Sequence, residues 1–193
     1  MKNILASKSP RRKEILKLIG FEFSVIPSKI IEDFDIQLTP NSFVEHWARE
    51  KAKSVSMVYP DSLIIGADTI VTMNSIKYGK PKNKNESIVM LKSLSNNIHE
   101  VITGISLIHN RKRLELTFHE KTKVYINDIS DNDINEYIDK YKPFDKAGSY
   151  GIQDGFCKHI NKIKGCYYNV MGLPISSLYS NYKEVLNHLL NND

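Results

Sequence analysis

The turn Ser7-Lys8-Ser9-Pro10-Arg11-Arg12 places hydroxyls, unpaired backbone N–H groups and two guanidiniums at the start of an expected helix. A helix N-terminus offers partial positive charge and free donors, and arginine adds a planar bidentate fork, so this turn suits a phosphate. It equally suits an N-capped surface helix with a solvated basic start. Asp68 stands in Gly66-Ala67-Asp68-Thr69, between the β-branched apolar runs 62–65 and 70–73, which is a costly place for a charge. There a carboxylate either accepts hydrogen bonds from a neighbouring loop or holds a hard divalent cation or an activated water. Glu32 is a second oxygen ligand for such a cation, or a solvated loop charge.

Lys51 and Lys80 are the cations with a reason to approach Asp68. At about 100° per residue, the segment 42–58 gathers Phe43, Val44, Trp47, Ala48, Ala52 and Val55 into one apolar arc. Lys51 falls inside that arc, whereas Arg49, Glu50 and Lys53 fall outside it. Lys80 sits between Gly79 and Pro81 on a stiffened turn; it either clamps an anion or is one more surface cation beside Lys77, Lys82 and Lys84. The glycines between Gly148 and Gly155 permit close backbone approach to a ligand, and Gln153 among them both donates and accepts, as a reader of a base edge must. A plain turn between strands is the other reading of this stretch.

The elements that must hold these residues alternate between strand and helix from the first residues, which predicts an α/β class. Residues 4–6 read as a buried strand, followed by a helix with Ser9 as N-cap, Pro10 in its first turn, Ile15, Leu16, Leu18 and Ile19 on its packed face and Gly20 at its end. Residues 21–26 read as a strand and 85–94 as a helix, and 101–108 with 114–126 as a long hairpin. Ser130 and Asp133 open a helix carrying Ile134, Tyr137, Ile138 and Tyr141. Residues 156–163 and 166–171 read as strands, and a last helix follows Leu173-Pro174 with Ile175, Leu178, Tyr179, Tyr182, Val185, Leu186 and Leu189 packed.

Composition excludes several classes. With 193 residues, 41% apolar and 25% charged, the chain reads as one globular domain over 1–193. No apolar run approaches the ~20 residues of a membrane span, and no secretory signal opens the chain, so a cytoplasmic location is expected. The net charge of +5 fits an anionic partner but is modest for a duplex binder, so nucleic acid is not expected. Cys157 and Cys166 lack metal-type spacing and read as structural. Walker, dinucleotide-binding, HExxH and GxSxG patterns are all missing, which disfavours P-loop ATPase, Rossmann dehydrogenase, zinc-hydrolase and serine-hydrolase chemistry.

Taken in order, Leu5-Ala6-Ser7-Lys8-Ser9-Pro10-Arg11-Arg12, Ala48-Arg49-Glu50-Lys51-Ala52, Ile65-Gly66-Ala67-Asp68-Thr69-Ile70-Val71, Gly79-Lys80-Pro81, Lys146-Ala147-Gly148-Ser149-Tyr150-Gly151-Ile152-Gln153 and Tyr168-Asn169-Val170-Met171-Gly172-Leu173-Pro174 resemble the Maf family of nucleoside triphosphate pyrophosphatases. The resemblance spans essentially the whole chain. It implies a mixed twisted sheet with flanking helices, two lobes about a deep cleft, kinship with inosine triphosphate pyrophosphatases and often a homodimer. It also implies hydrolysis between the α- and β-phosphates with a divalent metal, Mg²⁺ or Mn²⁺. By the same resemblance Asp68 is the proton acceptor for the attacking water and a metal ligand, with Glu32 as the second metal-site residue. Lys51 and Lys80 match the phosphate-clamping lysines, and Ser7, Arg11 and Arg12 the triphosphate-binding turn. Arg12, Thr69 and Gln153 fall where substrate preference is set, and a glutamine after Gly-Ile is like the subfamily acting on dTTP and UTP. A non-catalytic regulator of septum formation that binds nucleotide or nucleic acid is the alternative; it would need the cationic cleft but not Asp68.

Overall fold

The computed structural model describes residues 1–191. Its centre is a seven-stranded mixed sheet. Strand β1 (Lys2–Leu5) runs parallel to β2 (Ser24–Val25) on one side and to β3 (Ser62–Met73) on the other. β3 pairs antiparallel with β5 (Ile98–His109), which pairs with β6 (Leu114–Ile126), which pairs with the edge strand β7 (Ile160–Lys164). The short β4 (Ile76–Tyr78) folds back onto the end of β3.

Side-chain alternation along β3 assigns its residues to two faces. Ile64, Ile70 and, from β5, Ile102 and Ile108 pack under α2 (Pro40–Ser56). The other face carries two separate cores. Leu63, Ile65, Ala67, Ile105 and Leu107 pack with α1 (Pro10–Leu18) and α6 (Ile175–Asn191), and Val71, Val101 and Val124 pack with α3 (Lys84–Leu94) and α4 (Asp131–Tyr141). One sheet therefore serves both cores, and a cleft lies between them.

Two glycines bring α2 close enough to matter. A Cβ on Gly66 would lie 2.1 Å from the Ala48 carbonyl oxygen, and one on Gly104 would lie 2.3 Å from that of Val44. Only glycine admits this approach, which lets Lys51 on α2 reach the strand.

Several local expectations are corrected. Residues 62–73 form one continuous strand, because β5 pairs with it from Ile64 to Thr72, so Asp68 is mid-strand on the sheet. Only Ser24–Val25 of the expected strand 21–26 is a strand; Phe21 and Phe23 pack side-on against the first core. Leu18 and Ile19 are exposed at the C-terminal end of α1, and Tyr179 lies on the solvent side of α6. The segment 156–163 begins as a tight 3-10 helix, Gly155–His159, capped by Asp154, before β7 starts. Residues expected as a strand at 166–171 instead form a helical turn, α5 (Tyr167–Val170), tied to β6 by Thr122.

Candidate active site

β1 follows β3 only to the pair Leu5 and Ile65, and β4 takes up the same edge only from the pair Tyr78 and Val71. Residues 66–70 of β3 consequently lack a strand neighbour on that side, while β5 secures the other. A cleft of about 650 Å³ opens on this bare stretch. Asp68 and Thr69 line it from the strand, the Ser7 turn and Lys51 from one side, and Lys80 with the Gly148–Gly155 loop from the other.

Asp68 is 6% exposed. Its Oδ1 accepts from Lys51 Nζ at 2.7 Å, and the same ammonium lies 2.8 Å from Glu32 Oε1. Asp68 Oδ2 is buried and has no hydrogen-bond partner. A buried carboxylate oxygen without a donor is expensive unless a ligand completes it. Glu32 belongs to a loop pinned from below, where Lys77 donates to the carbonyls of Phe34 and Ile36 and lies 4.4 Å from the Phe43 ring centre.

Arg12 and Arg11 are adjacent in sequence and have different employment. Arg12 is 9% exposed and donates to Gly172 O at 2.8 Å, Ser7 Oγ at 3.0 Å, Ala67 O at 2.9 Å and Thr69 Oγ1 at 2.9 Å. Burial pulls its pKa below the ordinary value and Asp68 opposes that pull. Thr69 is held in turn by Thr103, which also donates to the Asn169 carbonyl. Arg12 thus substitutes for the missing strand along part of the bare edge, and it reaches the cleft already committed to internal acceptors. Arg11 instead spans the cleft to Asp145, with Nη1 to Oδ2 at 2.7 Å.

Lys80 is exposed at the cleft and has no carboxylate partner among the described residues. Its position follows from Gly79, whose carbonyl accepts the Gly148 N–H at 3.0 Å. Gly148 has φ +67°, a left-handed conformation suited to glycine, and a Cβ there would lie 2.7 Å from Val71. Gln153 is exposed on the same wall with an unengaged amide.

All the residues singled out in the sequence, Ser7, Arg11, Arg12, Glu32, Lys51, Asp68, Thr69, Lys80 and Gln153, line this one cleft. Three charged residues there were not anticipated: Asp145, Lys146 and Asp154. Lys146 Nζ lies 2.8 Å from Asp145 and 3.9 Å from Asp154. Their signal was charge beside and within the glycine-rich stretch, Asp145 and Lys146 before Gly148 and Asp154 before Gly155. Among the described residues no group of three or more His, Cys, Asp or Glu is arranged to hold a metal. Asp68 and Glu32, on either side of the Lys51 ammonium, are the carboxylates in the cleft whose oxygens suit a hard divalent cation.

Comparison with known proteins gives a consistent relationship. A dTTP/UTP pyrophosphatase of Carboxydothermus hydrogenoformans is 43% identical over 184 residues, 95% of this chain and 98% of that one. One of Alkaliphilus oremlandii is 47% identical over 176 residues, 91% of each chain. Among solved structures, the Staphylococcus aureus Ham1 protein is similar at 19% identity, with TM-score 0.46 over 65% of this chain and 72% of that one. No helix among the described residues is long and apolar enough to cross a membrane. The family model described as Maf-like protein matches residues 2–185, and the chain belongs to the Maf family.

Proposed function

We propose that this chain hydrolyses nucleoside triphosphates, dTTP and UTP foremost, between the α- and β-phosphates to give nucleoside monophosphate and pyrophosphate. The observation that carries this reading is Asp68, which lines one cleft with Lys51, Lys80, Arg11 and Arg12 and keeps a buried carboxylate oxygen, Oδ2, without a hydrogen-bond partner among the described residues. The names of the relatives, which cover nearly the whole chain, support the substrate class.

In this reading Asp68 Oδ2 accepts a proton from the water that attacks the α–β anhydride, and Lys51 fixes the orientation of the carboxylate through Oδ1. The substrate carries about four negative charges, and charge builds on the leaving pyrophosphate, so preorganised donors are worth most there. Lys80 takes phosphate oxygens, and Arg11 does so on release from Asp145. Arg12 shapes the floor together with Ser7 and Thr69, and Gln153 reads the base edge. Asp68 and Glu32 would hold a divalent metal, Mg²⁺ or Mn²⁺, whose chemistry when bound is to offset phosphate charge and polarise the anhydride. A cytoplasmic location and a homodimer belong to the same reading.

The test is a pyrophosphate-release assay across dTTP, UTP, CTP, GTP and 7-methyl-GTP, with and without Mg²⁺ or Mn²⁺. Release greatest with dTTP and UTP is expected. Nucleotide binding without release from any of them would replace the enzyme with a nucleotide-binding regulator.

A further inference from the structure

The side chain that reads a base must be held still by something, and the Gln153 side chain makes no hydrogen bond among the described residues. The residues around it are held by one phenol. Tyr137, on α4 and 4% exposed, accepts the Gly151 N–H at 3.1 Å and donates to Asp154 Oδ2 at 3.2 Å. Those partners stand two residues before Gln153 and one residue after it. The other oxygen of Asp154 accepts the Phe156 N–H at 3.1 Å, so the carboxylate joins the loop to the 3-10 helix that follows.

The ring of Tyr137 is itself immobilised. It stacks on Tyr141 with centroids 5.2 Å apart and packs on Phe156 at 5.0 Å. Burial, then the nearby Asp154, pushes the phenol pKa well above its ordinary value. The hydroxyl therefore keeps its proton and its donor role throughout the working pH range. Gly151 leaves no room for adjustment, since a Cβ there would lie 2.5 Å from Asp154 Oδ2.

We infer that Tyr137 is a specificity-positioning residue: its hydroxyl clamps Gly151 and Asp154 and so fixes the angle at which Gln153 meets a pyrimidine edge. This rests on the proposed function of the cleft, in which Gln153 reads the base. A glutamine amide offers donor and acceptor in either order, so Gln153 alone does not separate uracil or thymine from cytosine. Discrimination requires a loop that holds the amide in one register, and the Tyr137 bonds supply that restraint.

The test is Tyr137→Phe, which keeps the stacked ring and removes only the hydroxyl. The kcat/KM ratio of dTTP to dCTP should fall about tenfold, the size of a lost base-edge hydrogen bond. The change should lie in KM, with kcat for dTTP altered less than about twofold. A folded variant with an unchanged base ratio would overturn the inference, whatever its melting temperature. If Tyr137→Phe does not fold, Asp154→Ala removes the acceptor at the other end of the same tie and should move the ratio in the same direction. Dissociation constants of the α,β-imido analogues of dTTP and dCTP read base preference without turnover. If the wild-type protein releases no pyrophosphate, the hydrolase reading fails on that result, and the binding ratio still decides the role of Tyr137.

Discussion

Arg11 and Asp145 are 134 residues apart in sequence and join α1 to the loop after α4 across the cleft, at 2.7 Å. Burial works against ionisation of Asp145, but the hydrogen bonds from Lys146 and Arg11 outweigh it and hold its pKa at about 2. The carboxylate is therefore charged at every working pH, and it competes with substrate phosphate for Arg11. Asp145→Asn should lower KM for the triphosphate. Because the Asp145 side chain is 54% exposed, the gain is bounded at about fivefold. Steady-state kinetics at low and high salt checks this, and an unchanged or raised KM would contradict it.

The close approach of α2 predicts an effect on both stability and activity. Gly66→Ala would push a methyl into the Ala48 carbonyl and Ala52, on the turn of α2 that carries Lys51. Overpacking of this kind costs about 3 kcal/mol. Urea unfolding should show that loss, and turnover should fall as Lys51 retreats from Asp68. Full activity at wild-type stability would mean that α2 is not held by this contact.

Lys51 and Asp68 form a nearly buried pair, with side chains 12% and 9% exposed. Lys51→Met strands Asp68 beside Glu32 and should destabilise the fold by about 3 kcal/mol. Adding Asp68→Asn to Lys51→Met should recover much of that loss. A double-mutant cycle by denaturant unfolding measures the coupling, and additive losses would contradict it.

Much of this site was legible because it depends on period and local cost. Lys51 stood out as the one cation inside an apolar helical arc, and Asp68 as a charge within an apolar strand. Helix α2 buries Phe43, Val44, Trp47, Ala48, Ala52 and Val55, as the arc required. Asp145 and the Tyr137 clamp were not legible, since each gains its meaning from a partner brought near only by folding. Whether Asp68 sits inside a strand or at its end was open in the sequence for a related reason. β5 supplies the ladder on one edge and Arg12 donates to the Ala67 carbonyl on the other, so Asp68 lies within the strand.

His99 predicts a pH dependence. It is 1% exposed, and burial lowers its pKa from 6.5 to about 4. The unfolded chain takes up this proton near pH 6.5, whereas the folded one resists it to about pH 4, so stability is full above pH 6.5 and falls towards pH 4. The loss is about 3 kcal/mol at 1.36 kcal/mol per pKa unit. His99→Gln should flatten that part of the stability curve. Some slope should remain, because burial lowers His109 and His159 in the same sense. A slope identical to wild type would show that His99 is not the buried neutral group.

The most direct measurement is pyrophosphate release by Asp68→Asn, with dTTP binding followed in parallel. Asparagine keeps the shape and one acceptor at this strand position while removing the proton acceptor. The account predicts a folded protein that binds dTTP and releases pyrophosphate at least about a thousandfold more slowly than wild type. Turnover near the wild-type rate in that folded variant would contradict the role of Asp68 and with it the proposed mechanism.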